Sequence, residues 1–265
     1  MKMRFSLGFR TWLVPVAVSA FAAWAVAGCS DDGANPTSDQ SSLPDAGGSV
    51  PDADGSLPDA GDIHVEGEVT LETHEPDLPP LAGFDTCRVE LGSVTLVDSP
   101  HHDECTPIHY PSHPATVGPH YPVWAAWRSY RGPIPAPYLV HNLEHGGIVL
   151  LYNCPEGCPD LLESLETLIA EFPADEKCSP PVRARFVLAE DPELDVPLAA
   201  AAWGHFYKAT CLDLDGLRAF VEEHYAKAPE DTCKDGFDFT APEGGTIEVC
   251  TNGKGGTGDP GMSKP

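Results

Sequence analysis

Histidines are spread unevenly along this chain, and their spacing is the first sign of chemistry. Of eleven, His101, His102, His109, His113 and His120 crowd one short segment. A compact block follows, His141-Asn142-Leu143-Glu144-His145-Gly146-Gly147. Neutral imidazole is the commonest side-chain ligand for zinc and copper. His141 and His145 are four residues apart, which brings their rings within about 6 Å on a helix. On a strand the same spacing leaves about 13 Å, too far to share an ion. A metal site therefore requires a helical turn over 139–145, with Gly146-Gly147 closing it abruptly. His120 sits between Pro119 and Pro122, whose fixed φ angles would hold its ring at low entropic cost.

Three readings of this cluster stay open. The first is a bound transition-metal ion, copper favoured and zinc possible, held by His120, His141 and His145. Glu144 then serves as a fourth ligand or orients a ring from outside. Ligands must be neutral to bind, so ordinary histidines would release the ion below about pH 6. The second is a zinc-dependent hydrolase: His141-x-x-Glu144-His145 has the form of the inverted zinc-hydrolase motif, with Glu144 as the catalytic base. The third is a non-catalytic surface or scaffold protein whose rings are hydrogen-bonded in a polar interior. Beyond the leader segment the only methionine is Met262, which argues against a Met-rich copper(I) carrier.

The elements that must position these residues can be read coarsely. Segments 63–71, 87–97, 148–152 and 182–189 have the β-branched and apolar character of strands, with a further short one at 246–250. Leu161, Leu162, Leu165, Leu168, Ile169 and Phe172 follow a helical period, as do Leu214, Leu217, Phe220, Val221 and Tyr225, with Asp213 a candidate N-cap. Between Pro100 and Pro137 lie nine prolines, so this histidine-rich stretch must be irregular and pinned by its side chains. The expected fold is α/β (α+β): a single domain over 63–252 with one mixed sheet, two main helices and a long Pro/His-rich irregular segment. Residues 253–265 read as a flexible tail.

The amino terminus reads as an address. Lys2, Arg4 and Arg10 precede an apolar run ending Val26-Ala27-Gly28-Cys29, which resembles a bacterial lipobox. The resemblance implies a signal peptide over 1–28, lipidation at Cys29, and a cell-envelope location with the membrane as partner through that lipid, at the outer membrane or cell surface. Residues 29–62 then form a disordered tether of Asp, Pro, Gly and Ser. It repeats a six-residue unit from Ser42, Ser49 and Ser56 and carries no Lys or Arg. The formal charge of −26 rules out nucleic acid as a partner, because such binding rewards clustered Lys and Arg. No protein partner can be read from the chain.

Export places the remaining cysteines in an oxidising compartment. Cys87, Cys105, Cys154, Cys158, Cys178, Cys211, Cys233 and Cys250 are an even set of disulfide candidates. Proximity in sequence favours Cys87–Cys105 and Cys233–Cys250. Cys154-Pro155-Glu156-Gly157-Cys158-Pro159 also resembles the copper site of Sco-type chaperones, in which two thiolates and a distant histidine hold the metal. A structural bridge, within this pair or to Cys178 and Cys211, is the alternative.

A broader resemblance covers roughly residues 105–230. Val117-Gly118-Pro119-His120-Tyr121-Pro122, Trp124, Tyr130 and the block from Leu139 to Val149 resemble the domain-of-unknown-function 3105 family. Pro197 to Gly204 and the stretch ending Ala228-Pro229-Glu230 are similar to its later blocks. The resemblance implies an exported or membrane-anchored bacterial protein without an assigned activity. It marks His120, His141, Glu144 and His145 as the motif positions.

Overall fold

The computed structural model describes residues 61–240. The leader, Cys29, the tether as far as residue 60, the candidate strand at 246–250, Cys250 and the tail lie outside the described residues. Among the described residues no helix is long and apolar enough to cross a membrane.

In chain order the elements are β1 (Ile63–His64), β2 (Val69–His74), β3 (Val89–Val94), β4 (Ile108–His109), β5 (Ser129–Pro133), α1 (Ala136–Glu144), β6 (Ile148–Tyr152), α2 (Pro159–Glu171), β7 (Phe186–Glu190), β8 (Leu198–Ala202), β9 (His205–Ala209) and α3 (Leu214–His224). Seven strands form one mixed sheet in the order β2-β3-β9-β8-β6-β7-β5, and β1 pairs with β4 in a separate two-stranded sheet. Strands β5, β7 and β6 run parallel, and every other pairing in the large sheet is antiparallel. The fold is thus α+β with a mixed sheet, and the described residues carry three helices where the apolar periodicity predicts two main ones.

Period-two alternation divides the sheet into two cores. On β6, Val149 and Leu151 face one cluster, shared with Tyr138, Leu139, Val140 and Leu143 of α1 and with Tyr121, Ala125 and Trp127 of the proline-rich segment. Ile148, Leu150 and Tyr152 face the other, shared with Leu161, Leu165 and Leu168 of α2 and with Leu217, Phe220 and Val221 of α3. The central strands are buried on both faces, as a sheet covered on both sides requires. α3 begins where expected: the Asp213 side chain accepts from Gly216 N at 3.1 Å. α2 opens instead with Pro159 in its first turn, where a missing N–H costs nothing.

The cysteine pairing corrects the expectation from sequence proximity. Cys87 is bonded to Cys211 rather than Cys105, and Cys233 to Cys178 rather than Cys250. For the first pair the reason is the sheet: β3 pairs with β9, so Cys87, two residues before β3, meets Cys211, two residues after β9. Cys154 is bonded to Cys158. The Sco-like arrangement needs two free thiolates, and here the two sulfurs have each other. Cys105 is also disulfide-bonded. Alkylation of the unreduced protein, read by intact mass, should therefore label no described cysteine. A labelled Cys154–Cys158 pair would contradict this.

Candidate metal centre

The site is assembled by α1 and by the two irregular strands of chain before it. α1 starts after Pro135 with Pro137 in its first turn, and its side chains from Pro137 to Leu143 are buried. It ends at Glu144, with His145 as C-cap and Gly146 in the left-handed region at φ +81°. Gly146 N donates to Leu143 O at 2.9 Å and Gly147 N to Asn142 O at 3.0 Å, so the helix turns sharply into β6. At Gly147 a Cβ would run into the Trp127 ring. Gly147→Ala should therefore lower stability by about 1–3 kcal/mol, read from a urea midpoint, as forced overpacking does.

The proline-rich segment is held by side chains, as its lack of backbone donors demands. Asn142 grips Ala125 at two points: its Oδ1 accepts from Ala125 N at 3.0 Å and its Nδ2 donates to Ala125 O at 2.8 Å. Tyr110 donates to Pro119 O at 2.6 Å. His101 and His120 form an isolated parallel bridge, and His102 N donates to His120 O at 2.8 Å. That bridge brings His101, remote in sequence from α1, beside the helix.

Four side chains converge. One ligand atom each from His101, His120, His141 and Glu144 lies within 4.8 Å of all the others. His141 and Glu144 are three apart on α1 and share a face. His120 and His141 are buried, Glu144 is mostly buried, and His101 forms the exposed rim. The rings touch one another, with centroids 4.8 Å apart for His120–His141 and 4.9 Å for His101 with each of them.

The hydrogen bonds fix the ring tautomers. His120 Nδ1 lies 2.9 Å from Gly118 O, and His141 Nδ1 lies 2.6 Å from Tyr121 O. A carbonyl can only accept, so each Nδ1 carries the proton and each neutral ring leaves a bare lone pair on Nε2. This is how metal-ligating histidines are oriented in general. His120 Nε2 comes within 3.1 Å of Glu144 Oε2, yet out of line for a hydrogen bond. Two lone pairs facing each other at that distance repel, and a cation between them would relieve that repulsion.

Burial governs the protonation of the group. It pushes His141 down to about 4, assisted by His120, His145 and His101 and opposed by the Tyr121 carbonyl. Burial raises the Glu144 carboxyl, but the close approach of His120, with His141 and His101, holds it below its ordinary value. The candidate ligand His141 is therefore held neutral below the pH 6 threshold expected of an ordinary histidine.

His145 stands beside this group but outside the four. Its ring meets His141 edge-on at 4.6 Å and Trp124 at 4.4 Å, and its Nε2 lies 3.3 Å from Glu230 Oε2. Its buried Nδ1 has no hydrogen-bond partner among the described residues. His145 keeps the helical spacing, its N–H donating to His141 O at 3.2 Å, but its ring turns toward Trp124 and Glu230. The inverted hydrolase motif asks for His141 and His145 on one ion with Glu144 as base; here Glu144 lies among the candidate ligands. His101 takes the place that spacing assigns to His145, and only its membership of the histidine-rich segment signals it in the sequence.

Fold and site together define a mixed-sheet α+β domain with a buried His/Glu group under one short helix. The family model described as "Protein of unknown function (DUF3105)" matches residues 101–236, and the chain belongs to that family. The match spans His101, His120, α1 and the segment through Glu230 that closes over it. No curated protein and no solved structure matches the chain.

Proposed function

We propose that this chain is an exported, lipid-anchored protein of the cell envelope that binds one transition-metal ion through His101, His120, His141 and Glu144. The observation that carries the reading is the pair of buried imidazoles whose Nδ1 atoms face the Gly118 and Tyr121 carbonyls, leaving both Nε2 lone pairs bare, that of His120 3.1 Å from Glu144 Oε2. The orphaned His120 acceptor and a carboxylate in a desolvated pocket are costly without a cation. Three nitrogens and one oxygen, without sulfur, suit copper(II) and zinc. Copper stands first in affinity for such donors, and zinc takes the same four ligands readily. A hydrolytic role for Glu144 is the weaker reading, because a ligand oxygen is not free to act as base toward bound water.

The test is elemental analysis of tag-free protein isolated from the cell envelope. One metal ion per chain is expected, removable by chelator and restored on adding back copper or zinc. At about a thousandfold excess over Kd, reloading should stabilise the domain by about 4 kcal/mol. Protein that carries no metal, takes none up and melts identically with and without it would refute the proposal.

A further inference from the structure

We infer that the chain has a second, surface site for a divalent metal ion, built from Asp62, His64 and His109. His64 and His109 lie on the small parallel sheet, with Asp62 just before β1, apart from the group under α1. Register places His64 directly opposite His109, and the pairing is fixed on either side by Ile63 N donating to Pro107 O and Val65 N to His109 O, both at 2.9 Å. The two rings stack with centroids 4.6 Å apart and planes 14° from parallel. Asp62 brings Oδ2 to 3.3 Å from His109 Nε2, and one ligand atom from each of the three lies within 4.8 Å of the others.

Two imidazoles and a carboxylate are three protein ligands of the kind that leave a zinc ion one open position for water. All three side chains are exposed, so binding displaces hydration without the desolvation cost of a buried charge. The backbone beneath them is nevertheless held. A Cβ on Gly118 would lie 3.0 Å from Val65 Cγ1, and Tyr110, the residue after His109, is hydrogen-bonded to Pro119 O. Opposite-facing ring and carboxylate positions on a fixed ladder lose less freedom on binding than the same residues on a loop. The formal charge of −26 draws cations toward the whole surface. Asp62 and His64 precede the matched family segment, so two of the three ligands are features of this chain rather than of the shared region.

The experiment is a calorimetric zinc(II) titration of the full, tag-free, metal-stripped chain. Two binding events of unequal affinity are expected, the weaker one from the exposed site. The double variant His64→Gln/His109→Gln should lose the weaker event and keep the tighter, and Asp62→Asn should weaken it alone. His141→Ala should do the reverse. If the double variant titrates like the parent, or if the parent shows a single event that vanishes in His141→Ala, the surface site does not exist. A single event that vanishes only in the double variant would uphold it and refute the buried site instead.

Discussion

Arg185→Ala should cost the domain about 3–5 kcal/mol in a urea denaturation, the largest loss expected of any single substitution away from the site itself. The guanidinium is almost wholly enclosed. It pairs with Asp175 at 2.7 Å and Asp231 at 2.8 Å, and donates to the His145 carbonyl at 2.7 Å. The Tyr225 ring lies against it, with the hydroxyl bound to Asp175 at 2.7 Å. Removing the side chain strands a buried carboxylate and the carbonyl of the α1 C-cap, and unpaired buried groups carry the full desolvation cost. Asp231 is part-exposed and also contacts Lys177, so Asp231→Ala should cost far less, within about 1 kcal/mol. Equal losses from the two variants would show that the network is not organised around Arg185. Because the same guanidinium holds the end of α1, Arg185→Ala should also loosen metal binding at His141 and Glu144. Loss of an outer-shell partner elsewhere costs roughly 10–100-fold in affinity.

That network was not legible from the chain. Asp175, Arg185, Tyr225 and Asp231 are scattered over α2's exit, the start of β7 and the segment after α3, and no local pattern links them. What local pattern does encode is plain. The continuous apolar run Ile148–Tyr152 is a strand over the residues expected, and the leucine periods at 161–172 and 214–225 correspond to α2 and α3 within a residue or two. Strand β8 shows the opposite case. Leu198-Ala199-Ala200-Ala201-Ala202 has helical propensity throughout, yet it is fully buried between β6 and β9. Only small side chains fit where both sheet faces are covered, and that requirement belongs to the tertiary fold, which overrides intrinsic preference.

The site divides along the same line. His141 and Glu144 are legible because their spacing and the Gly-Gly stop are local facts about one helix. His120 is legible from its flanking prolines. His101 enters through a backbone bridge to His120, and His145, though correctly spaced, is taken up by Trp124 and Glu230. Both are decided by what the fold brings against them, not by spacing. The disulfides repeat the lesson: Cys87 finds Cys211 across paired strands, 124 residues away.

The metal-free protein should lose stability steeply as pH falls from about 6.5 to about 4, and bound metal should delay that loss. Burial holds both His141 and His145 at about 4 in the folded chain, against an ordinary value of 6.5. Over this window the unfolded chain takes up protons that the folded chain refuses, so stability rises with pH and drains away on acidification. Above 6.5 both states are neutral at these rings and the contribution is complete; below about 4 both are charged and nothing more is lost. Each ring accounts for about 3 kcal/mol across the window, from the size of its displacement. Metal-loaded protein should hold its stability further into acid, because protons must displace the ion before the rings can charge. Replacing His145 by Gln should flatten the metal-free profile while leaving metal uptake intact, since His145 lies outside the four ligand atoms. Replacing His141 by Gln should flatten it and abolish uptake. A metal-free midpoint that stays constant from pH 7 to pH 4.5 would mean that these rings are not held neutral by burial and take up protons in the ordinary histidine range.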